Sequence, residues 1–280
     1  MCIRDRDIPY LPIRFFKSHT IQSFEGKPVK TFTSSGTTTS INAQHHLADL
    51  SNYRASFQAC FEQFYGNPKD WAILALLPSY LEREGSSLIY MMDSLIAQSK
   101  NEHSGFYLDD LAKLNALLLE LEQQKQPTLL LGVSFALLDF TEQYSLNLSS
   151  TTVMDTGGMK GRRKELTREE LHKTLQKGFG VSAIHSEYGM TELLSQAYAK
   201  GDGRFHCPNW MRVTPFETND PFAPTEEGKI GRLNIIDLAN QESCAFISTD
   251  DLGRSFPDGT FEVMGRLDDS DIRGCNLLVY

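Results

Sequence analysis

The sequence predicts an α/β fold in which parallel-rich sheets are flanked by helices and a β-rich part is added toward the C-terminus. Two observations predict it. Compact apolar runs alternate with helical stretches until the neighbourhood of Cys207, and beyond it only short strand-like segments follow. Strand and helix alternating in this way implies a parallel sheet with helices on its faces.

Each element carries its own signal. DWAILALLP (70–78) and PTLLLGV (127–133) are short, nearly unbroken apolar runs, as expected of strands covered on both faces. Between them, LDDLAKLNALLLELEQQ (108–124) spaces apolar residues at helical period with charges opposite. SSTTVMDTGG then reads as a strand ending in a glycine turn. The next helix opens at Thr167, which forms a capping box with Glu170, and is expected to stop at Gly178. VSAIHSEYG (181–189) is another strand and turn, with a helix expected from about Thr191. KIGRLNIIDL, ESCAFIST and TFEVMGRL, separated by Gly, Asp and Pro, read as strands of an antiparallel or barrel-like part. No internal repeat or low-complexity tract breaks this order.

Composition excludes several function classes. At 280 residues the chain can bury an ample core, and its 40% apolar and 22% charged residues rule out a disordered or fibrous protein. A formal net charge of -9 argues against a nucleic-acid partner, because phosphate backbones recruit basic surfaces. No apolar run approaches the roughly 18 residues that span a bilayer, and MCIRDRDIPY lacks a signal-peptide core. The cysteines (Cys2, Cys60, Cys207, Cys244, Cys275) are odd in number and contain no CxxC pair, so neither a disulfide framework nor a zinc knuckle is indicated. The expected location is cytoplasmic.

Four stretches point to chemistry. TFTSSGTTTS (31–40) surrounds Gly36 with hydroxyl side chains, a composition suited either to a solvated turn or to a cradle for phosphate oxygens. It is not a Walker A loop, since no GK[ST] follows at the required spacing. HSEYGMTE (185–192) sets an aromatic, a glycine, a threonine and a carboxylate just after a strand. STDDLGR (248–254) places Asp250 and Asp251 beside Arg254, and GRLDDSDIRGC (265–275) follows. His185 and His206 read as structural, because no metal-ligand partners stand at useful spacing.

In this order the stretches resemble the core motifs of the adenylate-forming superfamily of acyl-CoA synthetases, luciferases and peptide-synthetase adenylation domains. LPIRFFKSH (11–19), LLPSYLEREGSSLIYMMDSLI (76–96) and the terminal RGC are similar to its acyl-protein synthetase, LuxE-like branch. The resemblance implies the large N-terminal domain of the adenylate-forming fold over residues 8–264, with 265–280 a hinge and stub and little or no small C-terminal domain. It implies activation of a carboxylic acid, a long-chain fatty acid in this branch, as acyl-adenylate, using ATP and Mg²⁺. An acyl-accepting protein such as a reductase is the implied partner.

Site residues follow residue by residue. Ser34, Ser35, Gly36, Thr37 and Thr38 match the phosphate loop. Gly157 and Gly158 in TGGM match the adenine-site glycines, with Tyr188 stacking on the base and Gly189 beside it. Thr191 corresponds to the α-phosphate contact, Glu192 to the Mg²⁺ ligand, and Asp251 to the ribose acceptor, with Arg266 nearby. Cys275 is the implied acyl-carrying nucleophile. Bland alternatives stand beside these roles: a helix-start carboxylate for Glu192, a turn cap for Asp250 and Asp251, and a buried inert thiol for Cys275. Coenzyme A or a carrier pantetheine as acceptor, as in phenylacetate-CoA ligase relatives, and a non-catalytic nucleotide- or acyl-binding protein are the alternative functions. The chain departs from the superfamily where a Pro-Lys pair commonly follows the loop. SINAQHH stands there, and MKGRRK (159–164) is the candidate substitute charge. The end at Tyr280, shortly after the hinge, is similar to the acyl-protein synthetase branch, whereas the opening MCIRDR resembles nothing in it and leads to the expectation of a fragment lacking N-terminal sequence.

Overall fold

The computed structural model describes residues 8–34, 41–78, 85–108, 110–157 and 166–267. β1 (Leu11–Pro12) and α1 (Phe15–Ser18) open the described chain, followed by β2 (Lys30–Thr33), β3 (Gln44–Leu47) and α2 (Ser51–Tyr65). Alternation then begins with β4 (Ala72–Leu76), α3 (Ser87–Ser99), β5 (Gly105–Phe106), α4 (Leu111–Gln123), β6 (Thr128–Gly132) and α5 (Ser134–Gln143). It continues through β7 (Thr151–Asp155), α6 (Arg168–Phe179) and β8 (Ile184–Tyr188). The remainder is β9 (Ala197–Ala199), β10 (Met211–Phe216), β11 (Gly231–Asp237), β12 (Phe246–Ser255) and β13 (Phe261–Arg266).

Six strands form the central sheet in the order β5-β4-β6-β7-β8-β9, parallel throughout except at β9. β4 and β6 are buried at every position, as their unbroken apolar runs require. On β8, side chains alternate between faces: His185 meets Tyr65 of α2, whereas Ser186 meets His172 of α6. Helices therefore cover both sides of the sheet. From β4 the chain crosses outward to β5, then returns past β4 to β6, β7 and β8. The strand order thus reverses between β4 and β6, and in open sheets of this kind ligands bind outside the carboxyl ends of the strands.

A second sheet has the order β1-β12-β11-β10, with β13 also on β12. It is antiparallel apart from β1, which pairs in parallel through Leu11↔Ile247 and Pro12↔Ser248. The β-rich part is thus not confined to the C-terminal third, since a strand from near the start of the described chain joins it. β2 and β3 form a separate hairpin. One apolar core fills the space around the central sheet; another, with Tyr188, Phe205 and Phe261, lies against the second sheet.

Two expectations are corrected. α6 does not stop at Gly178; it runs to Phe179 and is capped by left-handed Gly180, while the Thr167/Glu170 capping box is present. No helix follows Thr191. The chain turns there, with Leu193 N–H donating to Met190 O, and leads into β9. Buried Asp237 accounts for this, because its carboxylate accepts from the N–H groups of Leu194 and Ser195 and from the Ser195 hydroxyl. Donors that would have propagated a helix are taken by a residue from another strand.

Candidate functional site

The carboxyl ends of β7 and β8 set the centre of the site. Asp155 pairs with Ser186 in parallel register, and Gly157 and Tyr188 each follow that pair by two residues. Gly157 has a left-handed φ of 76°; its N–H donates to Asp155 Oδ1 at 3.1 Å, and its carbonyl accepts from Ser134 N–H. Tyr188 is 9% exposed, its ring set against Phe205 and Phe261. Its hydroxyl donates to Asp251 Oδ2 at 2.8 Å. Gly189 and Met190 then carry the chain to Thr191 and Glu192.

β12 and β13 close the other side. Asp251 and Arg266 are register partners, and Arg266 Nε lies 3.9 Å from Asp251 Oδ1. Burial raises the Asp251 carboxyl, against the lowering effects of the Tyr188 hydrogen bond and of Arg266. The paired aspartates do not share Arg254, which goes instead to Glu262 at 2.8 Å. Asp250 holds Arg14 at 3.0 Å, joining the segment after β1 to β12.

Glu192 is 7% exposed, and burial raises its carboxyl. Arg266 and Lys17 pull it down and Asp251 pushes it up, so these four charges share one neighbourhood. Among the described residues, the only donor to its carboxylate is its own backbone N–H. The turn that carries it is held from behind. His45 Nδ1 donates to Thr191 O at 2.8 Å, and Asn240 Nδ2 donates to Glu192 O at 2.8 Å. His45 thereby ties the β2–β3 hairpin to the Thr191 turn. Ser34 closes the base of that hairpin's loop: its N–H donates to Ala43 O, and its Oγ accepts from Ala43 N–H.

Ser34, Gly157, Tyr188, Gly189, Thr191, Glu192, Asp251 and Arg266 therefore belong to one connected arrangement. Ser35, Gly36, Thr37, Thr38, Gly158, Cys275 and the basic run 159–164 lie outside the described residues. Three residues to which the sequence reading gave no site role, Lys17, His45 and Asn240, reach the site from far along the chain, Lys17 from LPIRFFKSH and His45 from SINAQHH. His185 faces α2, where Tyr65 meets its Nδ1, and burial lowers it to about 4. Among the described residues, no cluster of three or more His, Cys, Asp or Glu could hold a metal by itself.

The acyl-protein synthetase (LuxE) family model matches residues 3–280. The chain belongs to that family. A long-chain-fatty-acid–luciferin-component ligase of Aliivibrio fischeri is 23% identical over 301 residues, covering 97% of this chain and 77% of that protein. Among solved structures, ATP-bound MatB from Rhodopseudomonas palustris matches with a TM-score of 0.62 at 16% identity, over 84% of this chain and 47% of that one. The O-succinylbenzoate coenzyme A synthetase MenE from Bacillus subtilis, in complex with ATP and magnesium, matches with a TM-score of 0.57 at 15% identity, over 84% and 49%. These likenesses establish the fold as that of adenylate-forming enzymes, and the chain spans about half the length of those solved structures. No helix among the described residues is long and apolar enough to cross a membrane.

Proposed function

We propose that this LuxE-family chain is an acid–thiol ligase that activates a carboxylic acid, a long-chain fatty acid by family likeness, as an acyl-adenylate. ATP is the second substrate, pyrophosphate leaves, and the acyl group passes to a thiol. The observation that carries the reading is the convergence of Tyr188, Asp251, Arg266 and Glu192 at the carboxyl end of β8, next to the β7 end that leads to Gly157.

Asp251 suits the ribose because a carboxylate has acceptor positions beyond the one taken by Tyr188, and both ribose hydroxyls are donors. A β-carbon on Gly157 would meet nothing within 4 Å, and that open space at the end of β7 suits a flat base. Thr191 and the hydroxyl loop that begins at Ser34 would grip phosphate oxygens. Glu192 fits a hard cation: it is buried, it lacks side-chain donors among the described residues, and Mg²⁺ takes one or two carboxylates together with phosphate oxygens. Bound there, Mg²⁺ would neutralise phosphate charge. Burial pushes Cys60, Cys207 and Cys244 up, Cys207 to about 12, so none of the three is a ready thiolate. This favours an acceptor outside them, either Cys275 or a partner protein's cysteine.

ATP–pyrophosphate exchange across a panel of acids tests the reading. The parent should exchange with at least one acid. Glu192→Gln should lose roughly 100-fold or more in rate, as removal of a transition-state electrostatic group does, while Asp251→Asn should mainly raise KM for ATP. Parental rates in both variants would sink the site assignment. Hydroxylamine-labile labelling by a radioactive acid, present in the parent and absent in Cys275→Ala, separates an internal acceptor from a partner.

A further inference from the structure

LPIRFFKSH (11–19) has no part in the chemistry proposed above, yet it is fastened to the site at two points. Pro12 pairs with Ser248, and Ile13 N–H donates to Ser248 O, so β1 runs beside the strand that carries Asp250 and Asp251. Arg14 Nε then donates to Asp250 Oδ2 at 3.0 Å. Two residues on, Phe16 is buried, and its ring meets that of His45 edge-on with centroids 5.8 Å apart. His45 in turn donates to Thr191 O. One anchor is therefore the residue before Asp251, and the other leads to the residue before Glu192. α1 bridges the two carboxylates of the proposed nucleotide site.

Lys17 is the residue this bridge presents. Its N–H donates to Arg14 O at 3.0 Å, the three-residue spacing that puts two side chains on one side of a helical turn. On that side Arg14 reaches Asp250, so Lys17 extends along the same edge of the site. Its side chain is exposed, and among the described residues no carboxylate stands at ion-pair distance from its ammonium. The neighbouring cations are committed, Arg14 to Asp250 and Arg266 to Asp251. Burial raises the Glu192 carboxyl, and Arg266 and Lys17 both pull against it, as their placement requires.

Adenylation needs such a cation. A carboxylate oxygen bonds to the α-phosphorus while the bond from that phosphorus to the bridging oxygen breaks, and the electron pair stays on the departing pyrophosphate. Negative charge therefore grows on the leaving group, where a positioned cation acts on the transition state. The base end of the nucleotide goes to buried Tyr188, so its outer phosphates face the exposed side, where Lys17 stands. An ammonium on a flexible stem binds phosphate as a point charge and can follow it as it leaves. We infer that the Lys17 ammonium holds the β- and γ-phosphates of ATP and neutralises pyrophosphate on its departure. This rests on the acid-activation reading.

The test is calorimetric titration of the full chain with ATP, AMP and pyrophosphate, each with Mg²⁺, alongside ATP–pyrophosphate exchange. Lys17→Met should bind ATP and pyrophosphate about tenfold or more weakly, bind AMP as the parent does, and exchange about tenfold or more slowly. Lys17→Arg keeps the charge and should stay within about threefold of the parent throughout. Because the side chain is exposed and unpaired among the described residues, both variants should keep the parental urea midpoint. Parental ATP affinity in Lys17→Met, equal weakening of ATP and AMP, or equal loss in the Met and Arg variants overturns the inference. Exchange separates the two readings. If the parent exchanges and Lys17→Met matches it, this inference alone falls. If the parent exchanges with no acid while Lys17→Met still loses affinity for ATP and not AMP, adenylation falls and the phosphate contact stands. A parent that binds no ATP removes both.

Discussion

His45 sits where the hairpin, the Thr191 turn and the β11–β12 connection meet, and it is fully buried. Its Nδ1–H satisfies Thr191 O, and its Nε2 lies 3.0 Å from Asn240 Oδ1, while Asn240 satisfies Glu192 O. Removing the ring strands the buried Thr191 carbonyl at roughly 1–3 kcal/mol and leaves a cavity behind. His45→Ala should therefore cost about 2–4 kcal/mol in urea denaturation. It should also depress pyrophosphate exchange by more than the lost folded fraction explains, because the Glu192 turn loosens. His45→Asn, whose amide can stand in for Nδ1, should recover much of kcat. Equal damage from Ala and Asn would reduce His45 to a packing residue. Nothing in the sequence marks this residue. It lies in the SINAQHH stretch noted above for its missing lysine, and its partners are 146 and 195 residues away. The motif residues Tyr188, Glu192 and Asp251 were legible because they stand in short, ordered strings; the residues that hold them in place were not.

At the scale of elements, legibility followed the range of the forces that form each one. β4, β6 and the capping box of α6 depend on their own residues, and all are where the sequence put them. The expected helix after Thr191 depended on Asp237, beyond any local window. Gly178 misled for a related reason. It lies inside α6 because Thr141 of α5 occupies the space where its side chain would stand, so this glycine serves close helix packing rather than termination. Gly180, at φ 64°, is the actual stop, and a β-carbon there would strike Leu146 O and Asn147 Cα. Gly178→Ala should destabilise by about 1–3 kcal/mol through overpacking, and Thr167→Ala by about 1 kcal/mol through loss of the cap. Urea midpoints measure both. A neutral Gly178→Ala would mean that α5 and α6 separate without cost.

Across the whole molecule, buried titratable groups pull stability in opposite directions with pH. Burial lowers His45, His172 and His185 to about 4. In the unfolded chain each would protonate near 6.5, so that form gains protons first, and stability is lost as pH falls from about 6.5 toward 4. Glu187 is the reverse case. Its folded value of about 8 exceeds the unfolded one, so its contribution is complete below about 4.5 and disappears as pH rises through 8. Asp155, Asp237, Asp251 and Glu192 are also raised, chiefly by burial, and act in the same sense as Glu187. A stability maximum should therefore lie between an acid limb set by histidines and an alkaline limb set by buried carboxyls. The variants tell the limbs apart. His172→Gln should flatten the acid limb and leave the other in place. Glu187→Gln, with no proton to lose, should gain on the parent as pH rises from about 4.5 to 8, each kcal/mol appearing as roughly 2–4 °C in Tm. Thermal melts of the three proteins from pH 4 to pH 9 decide the matter, and a Glu187→Gln curve that runs parallel to the parent would show that the carboxyl is ionised and solvated in the folded protein.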